Sequence, residues 1–221
     1  MANFLFQTTR NILCESGSAK RVGDVLLEHL FVKPASTILM VTDKGITSRA
    51  LELHCLQSLK DCGFEIIVYD DVVADPPERL VYEAADLAVN CNVAAVVGFG
   101  GGSSMDVAKL VAFLAHPSAT QTLPDMYGVN NCHGARLPLV QVPTTAGTGS
   151  EVTPISIITT GENEKVGVFC ICFQNVIDCI VEGCSVSVVI AGLCCSGWRT
   201  HCVASRKRDV SNGRGCNGTC Y

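Results

Sequence analysis

The chain has 221 residues, of which 17% are charged and 48% are hydrophobic, and its net charge of −5 leaves no basic excess to favour nucleic acid as a partner. This composition suits an α/β protein with buried parallel strands better than a disordered chain. Five of the fourteen cysteines lie widely spaced in the first 168 residues, and nine lie in the last 53. The first part therefore has the cysteine content of a protein from a reducing compartment.

Neither secretion nor insertion into a membrane is predicted from the N-terminal segment and the apolar stretch 166–195. It has no basic region ahead of an apolar stretch, so we expect no secretory signal peptide. We expect a cytoplasmic location, with a mitochondrial one as the alternative because Arg10 precedes the first acidic residue. The apolar stretch 166–195 is not expected to span a membrane, since it contains Gln174, Asn175, Asp178 and Glu182.

Apolar runs and helical periodicities alternate along the chain. In chain order they predict a strand over 37–42, a helix over 46–62 ended by Gly63, a strand over 65–69, a helix over 78–90 begun by Pro76 and Pro77, a strand over 94–97, a helix over 104–114, and strands over 137–142 and 155–159. This alternation predicts an α/β fold with a Rossmann-like, doubly wound and mostly parallel sheet. Ligands bind such sheets beyond the carboxyl ends of the strands.

A glycine cluster lies between a predicted buried strand and a predicted helix, in the sequence VVGFGGGSSMDVAK from Val96 to Lys109. Backbone without Cβ atoms can approach a phosphate closely, and a helix N-terminus adds free N–H groups and partial positive charge. The spacing is neither a Walker loop nor GxGxxG, so a tight strand-to-helix turn is the alternative. Asp106, in the first helical turn, either caps the helix or faces a ligand.

Two further polar segments follow predicted strands. In VPTTAGTGSEVTP, from Val142 to Pro154, hydroxyls and open backbone donors suit a ribose, a phosphate or an amide. The alternative is a polar connection with a helix N-cap at Thr148 or Ser150. Asp43, at the end of the first predicted strand, either accepts the hydroxyls of an adenine ribose or only forms a turn.

Taken together, GGGSSMDVAK and, about forty residues later, PTTAGTGSEVTP resemble the iron-containing (group III) alcohol dehydrogenase family. The likeness covers roughly Asn11 to Val168 and includes VTDKG, YDDVVADPP and EKVGV in the expected order. It implies an N-terminal α/β domain of the dehydroquinate synthase-like fold that binds NAD or NADP. It also implies a helical C-terminal domain that holds Fe²⁺ or another divalent metal.

The resemblance implies a set of residues that bind the cofactor. Asp43 would bind the adenine ribose. The pyrophosphate would be bound by Gly100, Gly101, Gly102 and Ser103. The remaining cofactor-binding residues are Asp106, Thr144, Thr145 and Lys165. Asp43 favours NAD, since its carboxylate would repel the 2′-phosphate of NADP. The implied substrate is a small alcohol or carbonyl, and the family's usual dimers make a homo-oligomer an option. Maleylacetate reductases and glycerol-type dehydrogenases, which share the glycine cluster, are the alternative.

The metal ligands that the resemblance implies have no counterpart in this sequence. They are one Asp and three His of the C-terminal domain, and the first two belong to a T-G-x-D-A-x-x-H-A stretch. No such stretch follows Val168, and His201 is the one histidine there, so we assign no catalytic or metal residue. We expect an NAD(P)-binding domain over 1–168, a non-homologous and disordered or poorly packed tail over 169–221, and a truncated, inactive protein. The alternative is a non-catalytic nucleotide-binding fragment or aberrant isoform.

A shift of reading frame offers a reason for the unusual tail. Read one nucleotide later, the codons of Val210 to Tyr221 permit S-A-T-G-V-D-A-M-V-H-A, and those of Val186 to Ser205 also permit a family-like segment. We hypothesise that residues from Phe169 to about Ser185 translate an unspliced intron or a comparable insertion. The genomic sequence across the Val168 codon tests this, and an uninterrupted frame there without splice sites would contradict it.

Overall fold

The computed structural model describes residues 9, 11–161, 164–170 and 177–182. Its strands are β1 (Asn11–Glu15), β2 (Thr37–Val41), β3 (Glu65–Tyr69), β4 (Ala95–Gly100), β5 (Gly128–Val129), β6 (Leu139–Pro143), β7 (Ile155–Thr160), β8 (Glu164–Phe169) and β9 (Ile177–Glu182). Its helices are α1 (Val22–Glu28), α2 (Lys44–Thr47), α3 (Leu53–Asp61), α4 (Glu78–Asn90), α5 (Gly102–Leu114) and α6 (Leu123–Met126), with a 3₁₀ turn over Ser18–Arg21.

Six parallel strands form the main sheet, in the order β1-β9-β6-β4-β2-β3. The chain runs outward from β2 to β3, then returns past β2 to β4, so the strand order reverses between β2 and β4. A doubly wound sheet opens a crevice at its carboxyl edge where the order reverses. The predicted doubly wound, parallel α/β fold is therefore confirmed.

Helices cover both faces of this sheet, because successive side chains of a buried strand point to opposite faces. In β2, Ile38 and Met40 pack in a core cluster with α1 and α3. Leu39 and Val41 pack in the opposite cluster with α4 and α5. All four side chains are 0% exposed, so β2 has the continuous apolar sequence of a strand buried on both faces.

A glycine in β4 lets α5 pack closely on the sheet. A Cβ atom at Gly98 would lie 2.2 Å from Oε1 of Gln141 and 2.8 Å from Cβ of Ala108. The side chain of Gln141, on β6, donates from Nε2 to the carbonyl of Met105 at 3.0 Å. Helix α5 therefore sits at a fixed position over β4 and β6, and its first turn lies beside the crevice.

The second sheet is small and mostly antiparallel. Strands β7 and β8 form a hairpin, and β5 pairs with β8 in parallel. The sequence predicted a strand over 155–159, and the structure confirms a strand there. That strand belongs to this hairpin rather than to the parallel sheet.

The predicted helix over 46–62 is wrong as a single element. It is two helices, α2 and α3, separated by a turn in which Ala50 has a φ of 56°. α2 ends at Thr47, and the left-handed Ala50 in the turn keeps a right-handed helix from continuing into α3. The predicted end at Gly63 is confirmed, because Gly63 has a φ of 79° and its N–H donates to the carbonyl of Lys60 at 2.9 Å.

One edge of the main sheet contains two strands that the sequence did not predict. β1 pairs with β9 along its whole length, and β9 also pairs with β6. β9 comes from the segment expected to be a disordered or poorly packed tail, yet its backbone fills the space between β1 and β6. The boundary at 168 and the reading-frame hypothesis stay predictions, since 183–221 lie outside the described residues.

Across the described part of the chain, none of the helices combines the length and the apolar content that crossing a bilayer requires.

Candidate functional site

A cleft of about 440 Å³ opens at the carboxyl edge of the main sheet, where the connections after the paired strands β2 and β4 lead to helices on opposite faces. Four connections that follow strands line it. Its residues are Asp43, Lys44 and Gly45 after β2, Val72, Val73 and Ala74 after β3, Gly101, Gly102, Ser103 and Ser104 after β4, and Thr145 after β6. The three segments that the sequence singled out therefore meet in one place, as expected from the reversal of strand order.

Asp43 has two roles at the rim of this cleft. Its Oδ1 accepts from the backbone N–H groups of Gly45 at 2.8 Å and Ile46 at 3.2 Å, and so caps α2. Its Oδ2 faces the hydroxyl of Ser104, which donates to it at 3.4 Å. One carboxylate oxygen thus forms the turn, and the other remains beside the glycine segment.

The glycine segment after β4 needs residues without side chains. Gly100 has a φ of 147°, and a Cβ there would lie 2.8 Å from Oγ of Ser104 and 3.3 Å from Oδ2 of Asp43. Gly101 is the N-cap of α5, with an extended backbone and no side-chain cap. The backbone of this turn is consequently open to the cleft at Gly101 and Gly102.

The N-terminus of α5 presents unused donors to the cleft. Within the described residues, the first amide of α5 with a backbone acceptor is that of Met105, which donates to Gly101 at 3.1 Å. The preceding amides, of Gly102, Ser103 and Ser104, are the orphan donors of a helix start. Together with the helix dipole they form a site for an anion such as a phosphate.

The loop after β6 lies over this helix start. The N–H of Thr144 donates to the carbonyl of Gly100 at 2.8 Å, and both Thr144 and Thr145 are exposed. A Cβ at Gly102 would lie 3.2 Å from Cγ2 of Thr148. The alternative of a helix N-cap at Thr148 or Ser150 is wrong, because the chain turns from Ser150 into β7 without a helix.

Asp106 lies beneath the cleft and not in its lining. Its Oδ1 accepts from Nζ of Lys109 at 3.1 Å and from the hydroxyl of Ser150, and its Oδ2 accepts from the N–H of Ile157 at 3.0 Å. Both oxygens are therefore occupied by groups of the protein. The carboxylate neither caps α5 nor faces the cleft.

Lys109 is the residue of this region that the sequence analysis missed. Its side chain is 0% exposed, and burial lowers the pKa of its ammonium group while the carboxylate of Asp106 opposes that shift. The signal in the sequence was a lysine inside the otherwise apolar stretch VAKLVAF. A lysine in a fully buried helix position needs partners, and Asp106 lies three residues earlier in the helix, but the sequence does not show the more distant partners.

Lys165 does not reach the cleft. It lies on β8 with a side chain that is 59% exposed, and its Nζ pairs with Oδ1 of Asp75 at 2.7 Å. Asp75 directly follows the cleft residue Ala74, so the ion pair places Lys165 just outside the cleft lining.

The described residues do not fit a metal ion. They contain no cluster of three or more His, Cys, Asp or Glu side chains that could hold one. His201 lies outside the described residues.

The chain is similar to known enzymes over most of its length. A sequence profile described as iron-containing alcohol dehydrogenase matches residues 9–177. The chain is 37% identical over 149 residues to choline dehydrogenase of Bacillus subtilis (strain 168), and 34% identical over 143 residues to NAD-dependent methanol dehydrogenase of Bacillus methanolicus. The structure of sulfoacetaldehyde reductase from Bifidobacterium kashiwanohense in complex with NAD⁺ matches with a TM-score of 0.68 at 26% identity.

These similarities cover only part of each relative. The matches take in 67% and 65% of this chain but 36% of each of the two curated relatives. For the reductase structure they take in 82% of this chain and 46% of the other chain. The chain therefore spans about a third of the length of the curated relatives it matches.

Proposed function

The chain belongs to the iron-containing alcohol dehydrogenase family, and we propose that it is a unit of such an enzyme that binds a nicotinamide dinucleotide, NAD or NADP. One observation carries the proposal. The open glycine turn and the unused amides of α5 lie at the carboxyl edge of the sheet, where the strand order reverses.

The cleft residues fit this cofactor. A side chain at Gly100 would fill the space against Ser104 and Asp43, so the turn has the glycine that a close approach of phosphate requires. The amides of Gly102 and Ser103 would hold the pyrophosphate, and Oδ2 of Asp43 would accept from a ribose hydroxyl. When bound, the oxidised nicotinamide ring supplies the hydride acceptor for an alcohol.

The other assigned residues have supporting roles in this proposal. Thr144 fixes the loop through its N–H, and Thr145 borders the cleft. Asp106 acts from beneath the cleft, and Lys165 would approach the cofactor only from its border. The substrate class is a small alcohol or the matching carbonyl, by similarity to relatives that are named for choline and methanol.

We expect NAD⁺ to bind at least ~10-fold more tightly than NADP⁺, because Oδ2 of Asp43 would repel a 2′-phosphate. Asn at position 43 can still cap α2 but carries no charge. Asp43→Asn should therefore reduce the ratio of the two dissociation constants toward one, as measured by calorimetric titration. The matched control is Asp61→Asn, which changes an exposed carboxylate that accepts from Gln57 at 2.7 Å outside the cleft. An unchanged ratio in Asp43→Asn would refute the assigned role.

We further propose that this chain does not turn over alcohols by itself. A divalent metal would supply the polarisation of the alcohol oxygen in an intact member of the family, and the described residues provide no cluster to hold such an ion. The sequence after Val168 also lacks the family's Asp and His ligand stretch. The chain would then bind the nucleotide without completing the reaction.

Turnover is measured as NADH formation from NAD⁺ and a panel of small alcohols, with Fe²⁺ or Zn²⁺ added. We expect no rate above that of the reagents alone. The methanol dehydrogenase of Bacillus methanolicus serves as the positive control under the same conditions. Metal-dependent turnover by this chain would contradict the proposal.

A further inference from the structure

We infer that Lys109, Asp106 and Ser150 form a positioning cluster, which holds the 144–149 loop over the N-terminus of α5 and thereby sets the affinity for the nucleotide. The inference about affinity rests on the proposed function. The position of the loop does not, because it can be measured without any nucleotide.

The cluster is buried and its hydrogen bonds are complete. The ammonium group of Lys109 has three N–H donors, and each has an acceptor. The acceptors are Oδ1 of Asp106 at 3.1 Å, Oγ of Ser150 at 2.9 Å and the carbonyl of Ile155 at 2.6 Å. The hydroxyl of Ser150 accepts from Lys109 and donates to Asp106. Ser150 is thus bound by both charges of the pair.

The cluster joins three separate elements. Asp106 and Lys109 belong to α5, Ser150 ends the loop after β6, and Asp106 also accepts from the N–H of Ile157 in β7. The contacts therefore reach from the helix to residues 41 and 51 positions later in the sequence. A shift of the loop away from α5 would break bonds to buried charges, which are stronger than bonds between neutral groups.

The cluster lies directly under the residues proposed to bind the cofactor. Asp106 is one helical turn after Gly102, and Ser150 is five residues after Thr145. At its other end the loop is tied by the N–H of Thr144 to Gly100. With both ties in place, Thr145 borders the cleft and Thr148 lies over Gly102. Without the hydrogen bonds of Ser150, the N–H of Thr144 would still hold one end of the loop, but the other end would be free to move away from α5.

The positioning role of the cluster can be distinguished from a role in the stability of the fold alone. A buried ion pair is weak evidence for stability, since apolar residues of similar volume often replace it without loss. The hydroxyl of Ser150 adds a link from the pair to the loop, and this link can be removed without breaking the pair. Ser150→Ala therefore separates positioning from general stability.

The test compares full-length Ser150→Ala with the unmodified chain. We expect hydrogen exchange of the 144–149 amides to be about ten- to a hundredfold faster without nucleotide, as loss of a hydrogen bond to a charged group would give, while exchange in α4 is unchanged. We expect a similar rise in the dissociation constant for NAD⁺ by calorimetry. Ser150→Thr, which keeps a hydroxyl, should restore both values.

The control is Ser118→Ala, which removes an exposed hydroxyl hydrogen-bonded to His116 at 2.8 Å beyond the end of α5. It should change neither quantity. Unchanged exchange of the loop, or unchanged NAD⁺ affinity, in Ser150→Ala would overturn the inference. If the unmodified chain does not bind NAD⁺, the proposed function fails instead, and faster loop exchange would still establish the positioning role.

Discussion

Replacing Lys109 with Met is expected to lower the free energy of unfolding by about 3–5 kcal/mol, because it leaves the buried carboxylate of Asp106 without its cation. Met has a similar length and fills the same apolar space, so the effect reports the charge rather than a cavity. The side chain of Asp106 is only 12% exposed, so little of it can be hydrated in place of the lost partner. Denaturant unfolding followed by circular dichroism measures the difference.

Two variants serve as controls for that experiment. Lys165→Met removes an exposed ion pair, whose side chains are 59% and 63% exposed, and should cost at most ~1 kcal/mol. The double variant Asp106→Asn with Lys109→Met removes both charges and should recover part of the loss. A Lys109→Met chain as stable as Lys165→Met would contradict this expectation, because it would show that Asp106 tolerates the loss of its cation.

Replacing Gly101 with Val is expected to weaken NAD⁺ binding by at least ~100-fold, or ~2.8 kcal/mol, while the chain stays folded. Gly101 has φ −81° and ψ −175°, which is extended backbone that Val accepts readily. A Cβ there meets Oγ1 of Thr145 at 3.5 Å, an ordinary contact. Its methyl groups would nevertheless occupy the cleft beside the α5 amides, where the pyrophosphate should lie.

The matched control for this variant is Gly167→Val. Gly167 lies in β8, and no atom lies within 4 Å of a Cβ placed there, so the change adds the same side chain outside the cleft. Its NAD⁺ affinity should equal that of the unmodified chain. Equal affinities in both valine variants would show that the nucleotide does not approach the glycine turn.

The strands that surround the cleft could be predicted because each is a short apolar run closed by a turn. β2 and β3 follow this rule closely. The helix α4 begins directly after Pro77, as its sequence indicates. The meeting of Asp43, the glycine turn and Thr145 followed from the topology, since parallel strands bring their carboxyl ends to one edge.

The contacts that could not be predicted depend on tertiary packing. The break between α2 and α3 depends on the left-handed conformation of Ala50, which its residue type does not favour. The backbone of β9 pairs with strands more than thirty residues earlier in the chain. The partner of Lys109 in the loop, Ser150, lies 41 residues away, and no local pattern relates the two. Asp106 and Lys109, in contrast, are three residues apart in α5, a spacing at which helical side chains meet, so the sequence does offer a local signal for this pair.

Calorimetric titration of NAD⁺ into the full chain measures whether the cleft beyond the carboxyl ends of β2 and β4 binds a nicotinamide dinucleotide. We predict saturable binding of about one nucleotide per chain, with a dissociation constant below ~1 mM. The absence of saturable heat at concentrations up to ~1 mM, in a chain that circular dichroism shows to be folded, would contradict it.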